Sequence, residues 1–206
     1  MATTVTSARI ARLRRNHRAD HESAVHDRFS GNALRAAVLG ANDGLVSNLS
    51  LVMGVAGAQL ASASILVTGI AGLLAGALSM AMGEWISVQS ARELYAHQID
   101  VERLEIGIDP QELGGSAAVA AISSFVPFTL GAAVPVLPFA FLSGAAATAT
   151  SVAASAAGLF LLGSAITLLT HRGIVRAGSR QLAIGLAAAA LTFAIGRLVG
   201  VGIGIG

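Results

Sequence analysis

The chain has 206 residues, 54% of them hydrophobic and 12% charged, and its mean hydropathy of +0.74 lies well to the apolar side of soluble domains. It has no cysteine, which excludes disulfide scaffolds and thiolate metal centres and leaves oxygen, imidazole and thioether as metal ligands. The formal charge of +2 rests on arginines that directly precede apolar segments, which fits membrane orientation and argues against a nucleic-acid partner.

Residues 1–33 read as a cytoplasmic arm, Arg-rich but mixed with Asp20, Glu22 and Asp27. The apolar stretch after it is too long for a signal-peptide core and has no evident cleavage site, so the arm is expected to stay on the mature protein. His17, His21, Glu22, His26 and Asp27 offer metal ligands there, at irregular spacing.

Residues 34–206 read as one all-α membrane domain, because a span needs about 20 apolar residues. Five spans are expected, at 34–58, 64–90, 116–138, 147–171 and 180–203. The arm, the 91–115 connector and the 173–179 turn with flanking Arg172 and Arg180 carry arginines, whereas the 59–63 and 139–146 connectors are uncharged. That alternation predicts a cytoplasmic N-terminus.

In the first span, Asp43 stands about nine residues in, roughly 13 Å from the cytoplasmic edge. A buried, ionised carboxylate there costs roughly 3 kcal/mol on insertion scales, so it is expected to be neutralised by a proton or a cation. Gly40, Asp43, Gly44, Ser47 and Ser50 follow helical spacings of three and four and predict one small, polar face. Asn42, Gly44 and Ser47 are candidates to line a path beside Asp43.

The second span carries Gly72, Gly76, Met80 and Glu84 at intervals of four, with Gly76 a further path-lining candidate. Gly stripes usually serve packing and a lone Met usually fills a core; their alignment with Glu84 is what points to an ion. Thioether beside carboxylate suits Fe²⁺ or Mn²⁺ better than Mg²⁺ or Ca²⁺. One Asp and one Met are too few for a dehydrated cation, so a two-fold homodimer that doubles them is expected.

No Gly or Pro interrupts residues 84–105, so the second helix should continue as a charged cytoplasmic stalk over 91–109, ended by Gly107 and Asp109-Pro110. Glu102 and Glu105 lie at i, i+3 on one stalk face and are candidate ligands at the cytosolic mouth; a solvated charged helix is the equal alternative. In the third span, Pro127 implies a kink, and Pro135 and Pro138 mark the outer end. Arg197 in the fifth should snorkel to the interface.

The segments "LRAAVLGANDGLVSNLSLVMGVAGA" (34–58) and "GLLAGALSMAMGEWISVQSARELY" (72–95) resemble the vacuolar iron transporter family, which includes yeast cross-complementer-of-calcium transporters and plant nodulin-like members. Weaker similarity at 128–139 and 183–200 extends the resemblance over all five spans. It implies a five-helix homodimer that exports Fe²⁺, and often Mn²⁺, from the cytosol in exchange for protons. The path would run between paired first helices, with Asp43 and Met80 as ligands and Glu84, Glu102 and Glu105 at the family's acidic positions. Metal-storing members insert an acidic helical domain between spans two and three; the short connector here resembles the nodulin-like branch.

The expectation is therefore a bilayer-embedded homodimer that carries Fe²⁺ or Mn²⁺ as cargo, needs no resident cofactor, and sits in a bacterial inner (plasma) membrane. The bacterial setting rests on the Arg-only basic residues and the Ala- and Gly-rich composition. An uncoupled metal channel and a non-transporting scaffold are the alternatives. An enzyme is disfavoured, since no nucleophile and base pair, phosphate loop or cofactor motif is present.

Overall fold

The computed structural model describes residues 34–102, 116–170 and 173–204, and it is helical in five segments long and apolar enough to cross a membrane. They are α1 (Leu34–Gly57), α2 (Ser62–Glu102), α3 (Ala117–Val136), α5 (Gly144–Thr170) and α6 (Ile174–Gly202), with the single-turn α4 (Pro138–Phe141) after α3. Helices are the expected solution, because hydrocarbon offers backbone groups no partner except each other.

The second span and the beginning of the stalk are one unbroken helix of 41 residues reaching Glu102. The rest of the stalk, including Glu105, and the 1–33 arm with its histidines lie outside the described residues. Two expected boundaries differ. The fourth span begins at Gly144 instead of 147, and the fifth at Ile174 instead of 180. The 173–179 segment had the composition of a turn, but Gly178 is buried against Phe160 and Ser164 of α5, so this stretch is the first packed turn of α6. Gly173 is its N-cap.

Helix α1 is the hub. Of its most apolar window 39% is buried, against 11 to 28% for the other spans, and it touches all four. Gly40 and Gly44 meet Ser124 and Phe128 while Asn48 reaches Ala132, so α1 and α3 run parallel. Met80, Gly72 and Gly69 stand beside Gly40, Asn48 and Val52, so α2 is antiparallel to α1. Gln181 bonds Asn42, and Gly54 and Ala58 meet Thr192 and Gly200, which makes α6 parallel to α1. Leu159 on Gly185 and Gly163 on Ala177 set α5 antiparallel to α6, and Leu45 packs on Gly158 of α5.

Lipid removes the hydrophobic drive between helices, so close packing and interhelical hydrogen bonds must hold them together. On α1 the packing is backbone on backbone. A Cβ added at Gly44 would run into the Phe128 carbonyl, and one at Gly57 into the Phe193 carbonyl. From the other side, Gly131 faces the Ala41 carbonyl and Gly196 the Gly54 carbonyl. Side chains complete the ties. Asn48 Nδ2 donates to Gly69 O at 3.1 Å and Ala132 O at 2.8 Å, stitching α1 to α2 and α3. Ser151 Oγ donates at 2.6 Å to Pro135 O, where α3 is about to end.

Overpacking these contacts should cost about 1–3 kcal/mol each. Gly44→Ala and Gly196→Ala are expected to lower both the yield of monodisperse protein in detergent and its thermal midpoint. Gly83→Ala, whose added Cβ meets nothing within 4 Å, is expected to leave both unchanged.

Candidate functional site: a polar groove between α1 and α2

Helix α1 keeps one line open. Leu39, Asp43, Ser47 and Leu51, spaced four apart, are all exposed along a helix otherwise surrounded by its neighbours. Asp43 is thus not enclosed within one copy; it lies on a rim of the single chain. The residues inward of it explain why. Gly40 and Gly44 are buried against α3, and Asp43 is one and three positions away, turned about 100° around the helix from Gly44. The single polar face read from the spacing is in fact two faces, a glycine face packed on α3 and an Asp–Ser face left open.

Beside that line is a cavity of about 320 Å³ walled by Asp43, Ser47, Asn48, Leu51, Gly72, Gly76, Ser79, Met80 and Phe128. Its long axis follows the antiparallel α1–α2 pair. At one end Met80 Sδ lies 3.4 Å from where a Gly40 Cβ would stand, and at the other Asn48 Oδ1 lies 2.8 Å from where a Gly72 Cβ would stand. The eight steps from Gly72 to Met80 make the groove roughly 12 Å long. Glycine creates the room: at Gly76 any side chain would collide with the Phe128 ring, which forms the floor.

The groove brings together Asp43, Met80, Ser47 and Gly76. Ser47 Oγ donates to the Asp43 carbonyl at 2.5 Å, so its hydroxyl proton is committed and its lone pairs remain acceptors. Glu84 is half-buried one turn past Met80 and is not part of the wall. Asn42 and Gly44 do not line it either. Asn42 accepts a hydrogen bond from Gln181 of α6, and Gly44 is pressed on α3. Glu102 is the last residue of α2, with only its backbone described, and Glu105 falls outside the described residues. Among the described residues, no three His, Asp or Glu side chains converge as a metal cluster.

Four wall residues escaped the sequence reading: Asn48, Leu51, Ser79 and Phe128. Asn48 stands four positions after Gly44, on the face that packs against α3. The available signal was simpler, a carboxamide in the middle of an apolar helix. Asn48 is 2% exposed, and with both its N–H groups engaged its Oδ1 has no partner.

Five packed spans around a glycine-seamed hub, with a carboxylate and a thioether facing one intramembrane groove, define a polytopic α-helical membrane protein with a polar site at membrane depth. Its sequence matches the VIT family over residues 34–113 and 103–197, and the chain belongs to that family. It is 44% identical to "Vacuolar iron transporter homolog 1" of Oryza sativa subsp. japonica over 81% of this chain and 74% of that protein. To "Vacuolar iron transporter homolog 5" of the same plant it is 36% identical over 96% and 97%. To "Vacuolar iron transporter homolog 4" of Arabidopsis thaliana it is 43% identical over 81% and 84%. The chain is thus kin to transporters and not to enzymes.

A chain without cysteine allows the groove to be mapped by thiol chemistry. Ser47→Cys and Ser79→Cys are expected to react with a small, charged thiol reagent and to be protected by Mn²⁺. Asn42→Cys, turned toward α6, is expected to react far more slowly under the same conditions.

Proposed function

We propose that this protein moves a divalent transition-metal ion, Fe²⁺ or Mn²⁺, out of the cytosol in exchange for protons, across the plasma membrane of a bacterium. What carries the reading is the meeting of Asp43 and Met80 on one groove wall, the donor pair that suits a borderline first-row cation. The kinship with proteins named vacuolar iron transporter homologs supports the choice of cargo.

The open Leu39–Asp43–Ser47–Leu51 line also supports a homodimer. A carboxylate facing lipid is costly, and a second copy laid along this line would cover it and bring a second Asp43 and Met80 to the same path. The cation from the cytosol would meet two carboxylates and two thioethers in place of part of its water shell. Protons and cation then compete for the same oxygens: arrival of the ion releases the protons of the Asp43 pair, and protonation from the far side releases the ion. Two single negative charges balance one doubly charged ion, so the exchange moves two protons per cation and little net charge.

Purified protein in liposomes tests each part. Mn²⁺ uptake should be driven by an inwardly acidic proton gradient, be insensitive to membrane potential, and fall to background in Asp43→Asn. Uptake that ignores the pH gradient would point to an uncoupled channel, and normal uptake by Asp43→Asn would sink the assignment. For the dimer, Leu51→Cys should cross-link between copies in membranes, whereas Leu130→Cys, exposed on α3, should not.

A further inference from the structure

Asn48 does two jobs, and its packing role uses only half of its side chain. The carboxamide presents its nitrogen to two backbone carbonyls, Gly69 O and Ala132 O, and only an N–H can serve a carbonyl, so the orientation of the amide is fixed. The oxygen therefore points the other way, beside Gly72, a fellow wall residue of the groove. It is buried and has no hydrogen-bond donor. A buried carbonyl oxygen without a partner is unfavourable unless something with positive charge or an acidic hydrogen meets it.

We propose that Asn48 Oδ1, with the neighbouring Ser47 Oγ, forms a neutral oxygen station for the divalent cation, one step further along the groove than Asp43 and Met80. Asn48 is five positions on from Asp43, roughly 7.5 Å along the helix axis. From the Met80 end, the order along the groove is Met80 and Asp43, then Ser47 and Asn48. A carboxamide oxygen is a ligand for which protons do not compete at ordinary pH. A cation displaced from Asp43 by protons thus finds a next ligand that the same protons leave untouched. Being neutral, the station binds weakly enough to let the ion go, which conduction through successive sites requires. Glycine at position 72 keeps a methyl group off that oxygen, since any Cβ there would stand 2.8 Å from it.

The inference rests on the transport reading, and the experiment separates the two. The full chain in liposomes is assayed with Mn²⁺ as the probe, by uptake and by the Mn²⁺ resonance signal for binding. Asn48→Leu removes the oxygen together with the two donated bonds. Gly72→Ala puts a methyl group against the oxygen while keeping the Asn48 amide itself, its other close contact being the flexible Leu51 side chain. Both are expected to slow uptake about tenfold, the scale for losing one supporting ligand, with the pH at which protons displace Mn²⁺ from Asp43 unchanged. In Asp43→Asn, weak Mn²⁺ binding that does not vary with pH should persist, and it should vanish in Asp43→Asn/Gly72→Ala. If Gly72→Ala and Asn48→Leu both transport at the parent rate, or Asp43→Asn binds no Mn²⁺ at all, the station is overturned while transport at Asp43 stands. If the parent moves no Mn²⁺, or Asp43→Asn moves it normally, the transport reading fails and takes the station with it.

Discussion

The described helices are arranged around the close approach of α1 to its neighbours. Water is absent from the surroundings, so burying apolar side chains gains nothing over leaving them in lipid, and helix association depends on contact and on hydrogen bonds. Gly44 and Gly131 let α1 and α3 touch at the backbone, and Gly57 and Gly196 do the same for α1 and α6. A polar helix can then sit in the middle of an apolar bundle. Asn42, Asn48 and Ser47, all on α1, each find a partner within reach on α6, on α2 and α3, or on α1 itself.

Asp43 differs in being left outside the bundle, and the difference is informative. Its helix is ringed by four others, yet the carboxylate is left on the rim, with Ser47 a turn further on and Met80 across the groove. A charge that the fold does not enclose at membrane depth is a group the fold leaves for something else to neutralise. A cation, a proton and a second copy are the three things that chemistry offers, and the proposed mechanism uses all three in turn.

Much of this was legible beforehand, for identifiable reasons. Long apolar runs and the cost of unpaired backbone in lipid fix five helices almost without regard to detail, and the absence of Gly or Pro after Glu84 foretold that α2 runs on to Glu102. Spacing of four placed Gly72, Gly76 and Met80 on the side of α2 that meets α1. It failed where rotation about α1 mattered. Asn42 and Gly44 are next to Asp43 in sequence but about 100° around the helix from it, so they face α6 and α3. Position 178 fell within a turn because the arginines around it interrupt the apolar run; against Phe160 its glycine is a packing notch. Asn48 was missed because periodicity finds stripes, and its meaning lies in which of its atoms are already bonded.

The glycines of α2 differ from those of α1 in what they touch. Gly69 meets Val52 and Val136 side chains, Gly72 meets Leu51 and Asn48 side chains, and Gly76 meets the Phe128 ring. None of these nearest contacts is backbone, whereas α1 meets α3 and α6 carbonyl to α-carbon. Side chains can change rotamer and glide; interlocked backbones cannot without separating. The bundle thus has a half locked backbone to backbone, α1 with α3 and α6, and a seam of side chains along α2, tied at Gly69 by the Asn48 carboxamide and at Ser62 by the Gly144 N–H. The groove lies along that seam, so side chains, and not interlocked backbones, set its width.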